Sequence, residues 1–156
     1  MQQANHNKLH LLTVTIVTVL IVVGDWIAKN WALTQLGDRR IPVFPGVIDI
    51  LLHTNEGVVS NIPIPLAIVL PLTVLILIGC AYWLWKSWHT NHRLAISLVV
   101  LIGGAIGNFA DRLINSFTTD YLLLFSRSVI NLADVLIVIG VIGILLTTKN
   151  SSPSKE

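Results

Sequence analysis

The chain has 156 residues, of which 54% are hydrophobic and only 12% charged, with a net charge of +2. Soluble domains usually carry about 25% charged residues, whereas four membrane spans of about 20 residues would use nearly all of these apolar side chains. The composition excludes an ordinary soluble domain and predicts an all-α membrane protein with four transmembrane helices. The single cysteine, Cys80, excludes an internal disulfide and a cysteine metal cluster, and the net charge gives no case for binding nucleic acid.

Four apolar runs, taken in chain order, each predict one membrane span. The first follows a leader containing Lys8; it is too long for a signal-peptide core and no A-x-A site follows, so we interpret it as a retained span. The second contains Pro71, which should kink the helix unless neighbours satisfy the freed carbonyl, and ends near an interfacial group of tryptophans that includes Trp88. We expect a single membrane domain, 1–156, with spans at about 9–28, 62–85, 94–113 and 129–148, and a disordered tail at 149–156.

The stretch between the first two spans, 31–61, is too polar to cross a membrane and too long for a tight turn. Within it, Ile41–Phe44 and residues 47–52 have the composition of short strands, interrupted at Pro45-Gly46. We therefore expect a small β-containing extracytoplasmic insertion that lies against the membrane surface.

Both termini of a four-span protein lie on one side, and the distribution of lysine and arginine indicates which side. Each side carries five of them, but Lys29 and Arg112 follow acidic residues at helix ends and are expected to pair with them. Discounting these two leaves five against three and favours cytoplasmic termini. Seven of the eight acidic residues fall on the other side. The polar motifs, and any active site they form, are therefore expected at the extracytoplasmic face.

Two polar motifs precede the second span. Asp25 and Lys29 stand at i and i+4 and can neutralise each other on one helix face, so a structural ion pair closing the helix end is the simpler interpretation. In Asn55-Glu56-Gly57, Gly57 can take a positive φ in a turn, while Asn55 can project its amide into a site. A turn without further function explains this second motif equally simply.

A third motif lies in the third span. The small residues at 103–107 let another helix approach closely, and packing alone explains them. Packing does not explain why Asn108, Asp111 and Arg112 follow within five residues in a membrane helix. Asn108 and Arg112 lie one turn apart on one helix face, which favours a shared polar site.

The fourth motif is Asn131-Leu-Ala-Asp134. Asn131 can cap the fourth helix with Asp134 in its first turn; alternatively, Asp134 lies about five residues inside the span, where a carboxylate is costly and indicates function. Asp120 precedes an apolar run at 122–125, and if this run folds back against the bilayer surface the two carboxylates can meet. Two carboxylates that share a water hold one proton between them, which supplies a base to activate water and an acid to protonate a leaving amine.

In these motifs the chain resembles the lipoprotein signal peptidases (signal peptidase II), four-span aspartyl proteases of the bacterial inner membrane. The resemblance covers almost the whole chain in the family's order, and the third motif followed by the fourth is highly specific. Asp120 and Asp134 match the two catalytic aspartates of the family. The other motif positions are matched by Asp25, Lys29, Asn55, Gly57, Asn108, Asp111, Arg112 and Asn131.

The resemblance implies an aspartic endopeptidase that cleaves before a diacylglyceryl-modified cysteine and releases the signal peptide of a prolipoprotein. It also implies that the three motif asparagines and Arg112 position the scissile bond, that Asp111 pairs and orients, and that Asp25 with Lys29 braces the first span. Expected partners are lipid-modified prolipoproteins and membrane lipids, with the protein active as a monomer. No zinc-binding pattern or G-x-S-x-G elbow supports metal or serine chemistry, and no cofactor is predicted.

Five positions depart from the usual pattern of the family, and they concern the shape of the substrate groove: Trp26, Ala28, Ser60, Ser116 and Ile130. None removes a proposed catalytic carboxylate. The alternative function is a non-catalytic membrane subunit or a small transporter with a structural polar cluster. The acids of a transport relay should spread toward the membrane midplane, whereas these gather at one face. A subunit that is a degenerate peptidase would carry the same residues and stays open at this point.

Overall fold

Each apolar run of the sequence forms a helix in the computed structural model, which describes residues 2–57 and 64–149. The helices are α1 (Gln2–Trp31), α2 (Leu66–Ser87), α3 (His92–Asn115) and α4 (Leu132–Lys149). α2 continues through Pro71 as one helix. Ser60, the predicted start of the second span at 62–63 and the tail beyond residue 149 lie outside the described residues.

Three of the described helices are long and apolar enough to cross a membrane: Asn5–Leu36, Leu66–Ser87 and His92–Asn115. The apolar part of α4, Leu132–Thr148, is shorter. Large apolar side chains on these helices are exposed, including Leu20 at 64% and Leu145 at 62%. Because water would not tolerate so much apolar surface, the helix faces fit a lipid environment. The prediction of an all-α class with four spans is confirmed in its coarser form, as a mostly helical chain with apolar helices and a small antiparallel sheet.

The sheet is larger than the sequence predicted. Two of its strands lie between α1 and α2, and the other two lie between α3 and α4. It is antiparallel with the strand order β1 (Ile41–Phe44), β2 (Ile48–Asn55), β3 (Thr118–Leu124) and β4 (Ser128–Ile130). β1 has the predicted bounds, while β2 extends to Asn55. The description as an insertion between the first two spans alone is wrong, because the predicted surface run at 122–125 belongs mostly to β3. Its partner strand lies far away in sequence, so no local pattern signals the pairing.

Small residues bring α3 and α4 close together, as the sequence predicted for the third span. A Cβ at Gly104 would overlap the Ala133 carbonyl oxygen and lie 2.9 Å from Leu136 Cβ. On the opposite helix, a Cβ at Gly140 would lie 2.7 Å from the backbone nitrogen of Leu101. Such close backbone approach is how membrane helices gain packing energy without a hydrophobic driving force. It also holds the first turn of α4 beside the polar residues of α3.

The sheet packs against the helices at the end of α1. A π-helical segment, Ala32–Leu36, follows α1 directly, and its buried residues Ala32 and Leu36 pack in one apolar cluster with Tyr121 of β3. At the outer edge of the sheet, Arg40 binds the carboxylate of Asp49 through Nε at 2.7 Å. The sheet therefore covers one end of the helices, where the polar motifs lie.

Candidate active site

The start of α4 is capped by its own first turn. Asn131 Oδ1 accepts the backbone N–H of Asp134 at 2.8 Å, and Asp134 Oδ2 accepts the backbone N–H of Asn131 at 3.3 Å. This reciprocal pairing satisfies donors that the helix leaves free. Asp134 is the third residue of α4. The expectation of a carboxylate five residues inside the span is therefore wrong, since β4 occupies 128–130 and the helix begins later.

Asp120 lies on β3 and is only 1% exposed. Its Oδ1 accepts the side-chain amide of Asn131 at 2.7 Å, so Asn131 contacts both Asp120 and the cap of Asp134. Its Oδ2 accepts the Nδ2 group of Asn55 at 3.3 Å, because β2 and β3 pair and bring the end of β2 alongside. Asn55 is itself held by a turn in which its Oδ1 accepts the N–H of Gly57 at 3.1 Å. The predicted turn at Asn55 is therefore confirmed, and the same side chain also contacts Asp120.

Asn108 of α3 connects Asp134 to the only buried cation in the described part of the chain. Its Nδ2 donates to Asp134 Oδ1 at 2.7 Å, and its Oδ1 accepts from Lys29 Nζ at 2.8 Å. Lysine can only donate, so it requires the amide oxygen on its side. The amide nitrogen must then face Asp134. Lys29 thereby sets the orientation of the group that hydrogen-bonds the carboxylate.

The predicted Asp25 and Lys29 ion pair is present and does more than close a helix. The Lys29 ammonium lies 2.9 Å from Asp25 and 3.4 Å from Asp111, with Lys29 only 2% exposed. Asp25 also accepts the Tyr121 hydroxyl at 2.9 Å and the backbone N–H of Leu132 at 2.9 Å. One buried carboxylate thus joins α1 to β3 and to the beginning of α4.

The sequence predicted an ion pair between Asp111 and its neighbour Arg112, and this prediction is wrong. It binds Lys29, accepts the backbone N–H of Thr119 at 2.6 Å and accepts the Asn115 side-chain amide at 2.7 Å. Arg112 forms no ion pair with any residue that the structure describes and lines a cavity instead. The buried position of Asp111 explains this, because Lys29 is already there and Arg112 is the next residue around the helix. Its cation is left free to meet a ligand.

A cavity of about 790 Å³ opens between α2, α3, α4 and the sheet. Its polar end contains Asn55, Asn108, Arg112, Asp120 and Asp134. Its apolar walls include Leu77, Cys80, Ile102, Ala105, Ile130 and Val138. The single cysteine, Cys80, therefore belongs to the wall of the cavity. A polar end beside a long apolar wall suits a molecule with both a peptide and a hydrocarbon part.

The environment of Asp120 favours its protonated form. Burial raises the pKa of Asp120 to about 6, and the nearby charge of Asp134 acts in the same direction, against the hydrogen bonds donated by Asn131 and Asn55. Asp134 also accepts two N–H groups, from Asn108 and from the backbone of Asn131, but it is only half-buried and lies in the first turn of α4. The two carboxyls thus have unlike surroundings, the arrangement that separates an acid from a base.

Sequence reasoning missed several residues that hold this site. The most important is Tyr121, which is 5% exposed and binds Asp25. Thr119 is fully buried and fixes Asp111 through its backbone N–H. Both flank Asp120 in β3, so recognition of that segment as a strand would have placed their side chains on the face opposite to that of Asp120.

Three of the five unusual positions have a clear structural setting. Ser116 ends α3 in the left-handed conformation, with φ of 68°, where glycine has no steric cost. Trp26 is 55% exposed on α1 and Ile130 lines the cavity, so only Ile130 of these two changes the shape of the site.

The chain is similar to known proteins over most of its length. The family Peptidase_A8, signal peptidase (SPase) II, matches residues 17–149. A lipoprotein signal peptidase of Bartonella bacilliformis is 35% identical over 148 residues, covering 87% of this chain and 85% of that protein. One of Lactococcus lactis subsp. cremoris is 31% identical over 145 residues, covering 88% and 95%. A solved bacterial membrane enzyme has a TM-score of 0.81 and 27% identity, covering 92% of this chain and 93% of that one.

Proposed function

The chain belongs to the signal peptidase II family, whose members remove signal peptides from prolipoproteins, and on this premise we propose that Asp120 and Asp134 are its catalytic dyad. It is a membrane aspartic endopeptidase and a multi-pass protein of the inner membrane. The observation that carries the proposal is the shared link through Asn131, whose side chain contacts Asp120 while capping Asp134. Both carboxyls line the same cavity.

In the proposed reaction Asp134 is the initial base and Asp120 the initial acid. As the oxygen of water attacks the scissile carbonyl carbon, Asp134 takes a proton from the water and Asp120 gives its proton to the carbonyl oxygen. The tetrahedral intermediate then loses its C–N bond: Asp134 returns its proton to the leaving amine, and Asp120 recovers one from a hydroxyl of the intermediate. Both carboxyls end in their starting protonation states.

The assignment of acid and base rests on the deeper burial of Asp120 and on the position of Asp134 at the N-terminus of α4. The donors facing Asp134, Asn108 Nδ2 and the Asn131 N–H, stabilise a carboxylate, and the N-terminal turn of α4 adds a favourable dipole. The raised pKa of Asp120, about 6, lets it hold a proton up to about pH 6, well above the range of an ordinary carboxyl. Arg112, at the polar end of the cavity and without an ion-pair partner among the described residues, is suited to bind a peptide carbonyl or the tetrahedral oxygen.

The substrate we propose is a prolipoprotein whose cysteine carries a diacylglyceryl group. Its peptide would lie at the polar end of the cavity, and its acyl chains would lie along the apolar wall formed by residues such as Leu77 and Val138. Two acyl chains offer large apolar area to bury, at about 25 cal/mol per Å². Binding energy distant from the reacting bond would hold the scissile carbonyl beside the dyad.

We further propose that α4 is the fourth span, that both termini are cytoplasmic and that the active site opens at the extracytoplasmic face. At 1.5 Å per residue, the apolar part of α4, Leu132–Thr148, covers about 26 Å, slightly less than the hydrocarbon core. Exposed apolar residues on α4, including Leu145 and Leu146, support contact with lipid. Since both carboxyls come from one chain, a monomer suffices for the reaction.

The direct experiment compares a lipid-modified precursor with the same precursor lacking its lipid. Cleavage of the lipidated form alone, or at a far higher rate, is the expected result, because only that form can use the apolar wall. Equal cleavage of both would refute the proposed substrate. The experiment is done with the full chain in detergent, so that the helices keep an apolar environment.

The dyad is tested by Asp120→Asn and Asp134→Asn. Each should lower turnover by about 10²-fold or more, and the double variant should be little worse than either, because the two residues act as one unit. Asp38→Asn is the matched control: it removes an exposed carboxylate outside the cavity and should leave turnover unchanged. Loss of folded protein with normal turnover per folded molecule would show that the pair is structural.

A further inference from the structure

A second cavity, of about 440 Å³, lies at the other end of the helices from the dyad. It is formed by the beginning of α1 and the connection from α2 to α3. The residues that line it are Asn7, Lys8, Leu11, Leu12, Thr15, Trp88, His89 and His92. Leu11 and Asp25 are separated by 14 residues of one helix, which is about 20 Å at 1.5 Å per residue. We call it the basic cavity; the reaction proposed above makes no use of it.

The charge around the basic cavity is of one sign. Lys8 lines it, and Lys86 and Arg93 lie at the same end of the helices. None of the acidic side chains in residues 2–57 and 64–149 lies at this end: each belongs to the second half of α1, the sheet and its adjoining loops, the end of α3 or the first turn of α4. An anion entering the cavity therefore meets attraction without a competing carboxylate.

Histidines add hydrogen-bond donors beside Lys8. His10 Nδ1 and His92 Nε2 lie 3.3 Å apart, and the rings of His6 and His10 are stacked with centroids 6.5 Å apart. Since one nitrogen of the His10 and His92 contact must donate and the other accept, the pair fixes the His92 ring at the edge of the cavity. His89 lines the same edge. Lysine and imidazole N–H groups together are a donor set that suits a phosphate.

Leu11, Leu12 and Trp88 form an apolar part of the lining, which continues onto an exposed side of α1. Leu12 is 56% exposed, and Ile16 and Leu20 follow at four-residue spacing with 51% and 64% exposure, so that the three form one stripe. Trp88, an amphipathic side chain of the type found at membrane interfaces, lines the rim. A free phosphate would leave this stripe unused, whereas a molecule with a phosphate and an acyl chain would contact both parts.

We propose that the basic cavity binds an anionic phospholipid, with its phosphate at Lys8, His89 and His92 and one acyl chain along the stripe of Leu12, Ile16 and Leu20. Basic pockets between membrane helices bind anionic headgroups in this way. The site is distinct from the cavity of the dyad, shares no lining residue with it and takes a lipid that is not a substrate. It would hold the start of α1 against the α2–α3 connection.

The experiment titrates the full chain in detergent with dioleoylphosphatidylglycerol or dioleoylphosphatidylcholine and counts bound lipid by native mass spectrometry. The anionic lipid should bind at least five-fold more tightly. Lys8→Gln should weaken its binding about five-fold, which is the effect of one lysine at a lipid headgroup. The control is Lys86→Gln, which removes the same charge at the same end of the helices but outside the cavity. It should weaken the binding less than two-fold. Equal losses would mean general surface attraction and would overturn the proposal.

Two further arms distinguish a lipid held in the cavity from a lipid held at the surface and from free phosphate. Thr15→Phe fills the cavity without changing its charge and should abolish the preference for the anionic lipid; a preserved preference would overturn the proposal even if Lys8→Gln failed to fold. Inorganic phosphate at millimolar concentration should displace little lipid, and full displacement would identify free phosphate as the ligand and refute the lipid. Circular dichroism of each variant checks that the helices are intact.

Discussion

Replacement of Lys29 by methionine should show that one buried cation organises both the fold and the dyad. Lys29→Met keeps an unbranched side chain that is one atom shorter and removes the charge and the three donors. The lost contacts are those to Asp25 at 2.9 Å, to Asp111 at 3.4 Å and to Asn108 Oδ1 at 2.8 Å. Asp25 and Asp111 would then remain buried without an ion-pair partner among the described residues.

The expected loss of stability follows from this geometry. Removing one partner of a buried ion pair usually costs about 3–5 kcal/mol, because the remaining charge is left uncompensated. Here each carboxylate keeps other donors: Tyr121 and Leu132 on Asp25, and Thr119 and Asn115 on Asp111. We therefore expect the lower end of that range, about 3 kcal/mol, which is still a large part of a typical stability of about 5–15 kcal/mol.

Activity should fall as well, for a separate reason. Without Lys29 nothing requires the Asn108 amide oxygen to face away from Asp134, so the amide can turn and present its oxygen to the carboxylate. Turnover per folded molecule should drop by about ten-fold, the factor that corresponds to a lost hydrogen bond of about 1.4 kcal/mol in the transition state. Turnover is measured with a lipidated precursor below the temperature at which the variant unfolds.

The assay is thermal unfolding in detergent, followed by circular dichroism, with Lys86→Met as the control because Lys86 is exposed at the far end of α2. The control should change stability by less than about 0.5 kcal/mol. Lys29→Met combined with Asp111→Asn should recover part of the loss, since it removes one unpaired charge. A loss below about 1 kcal/mol, or no recovery in the double variant, would refute the role given to the buried charge.

Four other outcomes test separate parts of the structure. Gly104→Ala should lower stability by about 1–3 kcal/mol, because its Cβ would overlap the Ala133 carbonyl, whereas Gly79→Ala, with open space around it, should be neutral or stabilising; thermal unfolding of both decides. Ser116→Gly should raise stability by about 1 kcal/mol by relieving a left-handed backbone, and an unchanged midpoint would contradict this. The pKa of Asp120 is about 6 in the folded protein, against an ordinary 3.8. Its protonation therefore stabilises the fold below pH 4, and this contribution is lost as pH rises through 6. Asp120→Asn should remove that pH dependence of the unfolding midpoint. Asn55→Ala removes a donor to the Asp120 carboxylate, so the alkaline limb of kcat/KM, expected near pH 6, should move to higher pH, and a limb that stays in place would assign it to another group.

The sequence determined the features that depend on neighbouring residues. Apolar runs marked the four helices because a lipid-facing helix needs a continuous apolar stretch, and the structure has a helix in each run. The ion pair of Asp25 and Lys29 and the cap made by Asn131 are one turn apart or less, so their spacing was sufficient to predict them. The short strand β1 was also found from its composition alone.

The tertiary structure decided which distant residues meet. β3 pairs with β2 across the sheet, although the hydrogen-bonded side chains of Asn55 and Asp120 are 65 residues apart. Lys29 and Asn108 are 79 residues apart, and Asp25 lies 96 residues from its partner Tyr121. Such contacts have no periodicity in the sequence, because they depend on how the helices and the sheet pack.

The partner of Asp111 is the clearest example of that division. In sequence Arg112 is its nearest cation, and a pairing between them was the natural expectation. In the folded chain Asp111 is 3% exposed and faces Lys29 of another helix, while Arg112 is turned to the active-site cavity. A buried carboxylate must take a cation that is buried with it, since leaving either charge alone in an apolar environment costs several kcal/mol. Packing of α1 against α3 therefore selects Lys29 and leaves Arg112 at the cavity, where we propose that it meets the substrate.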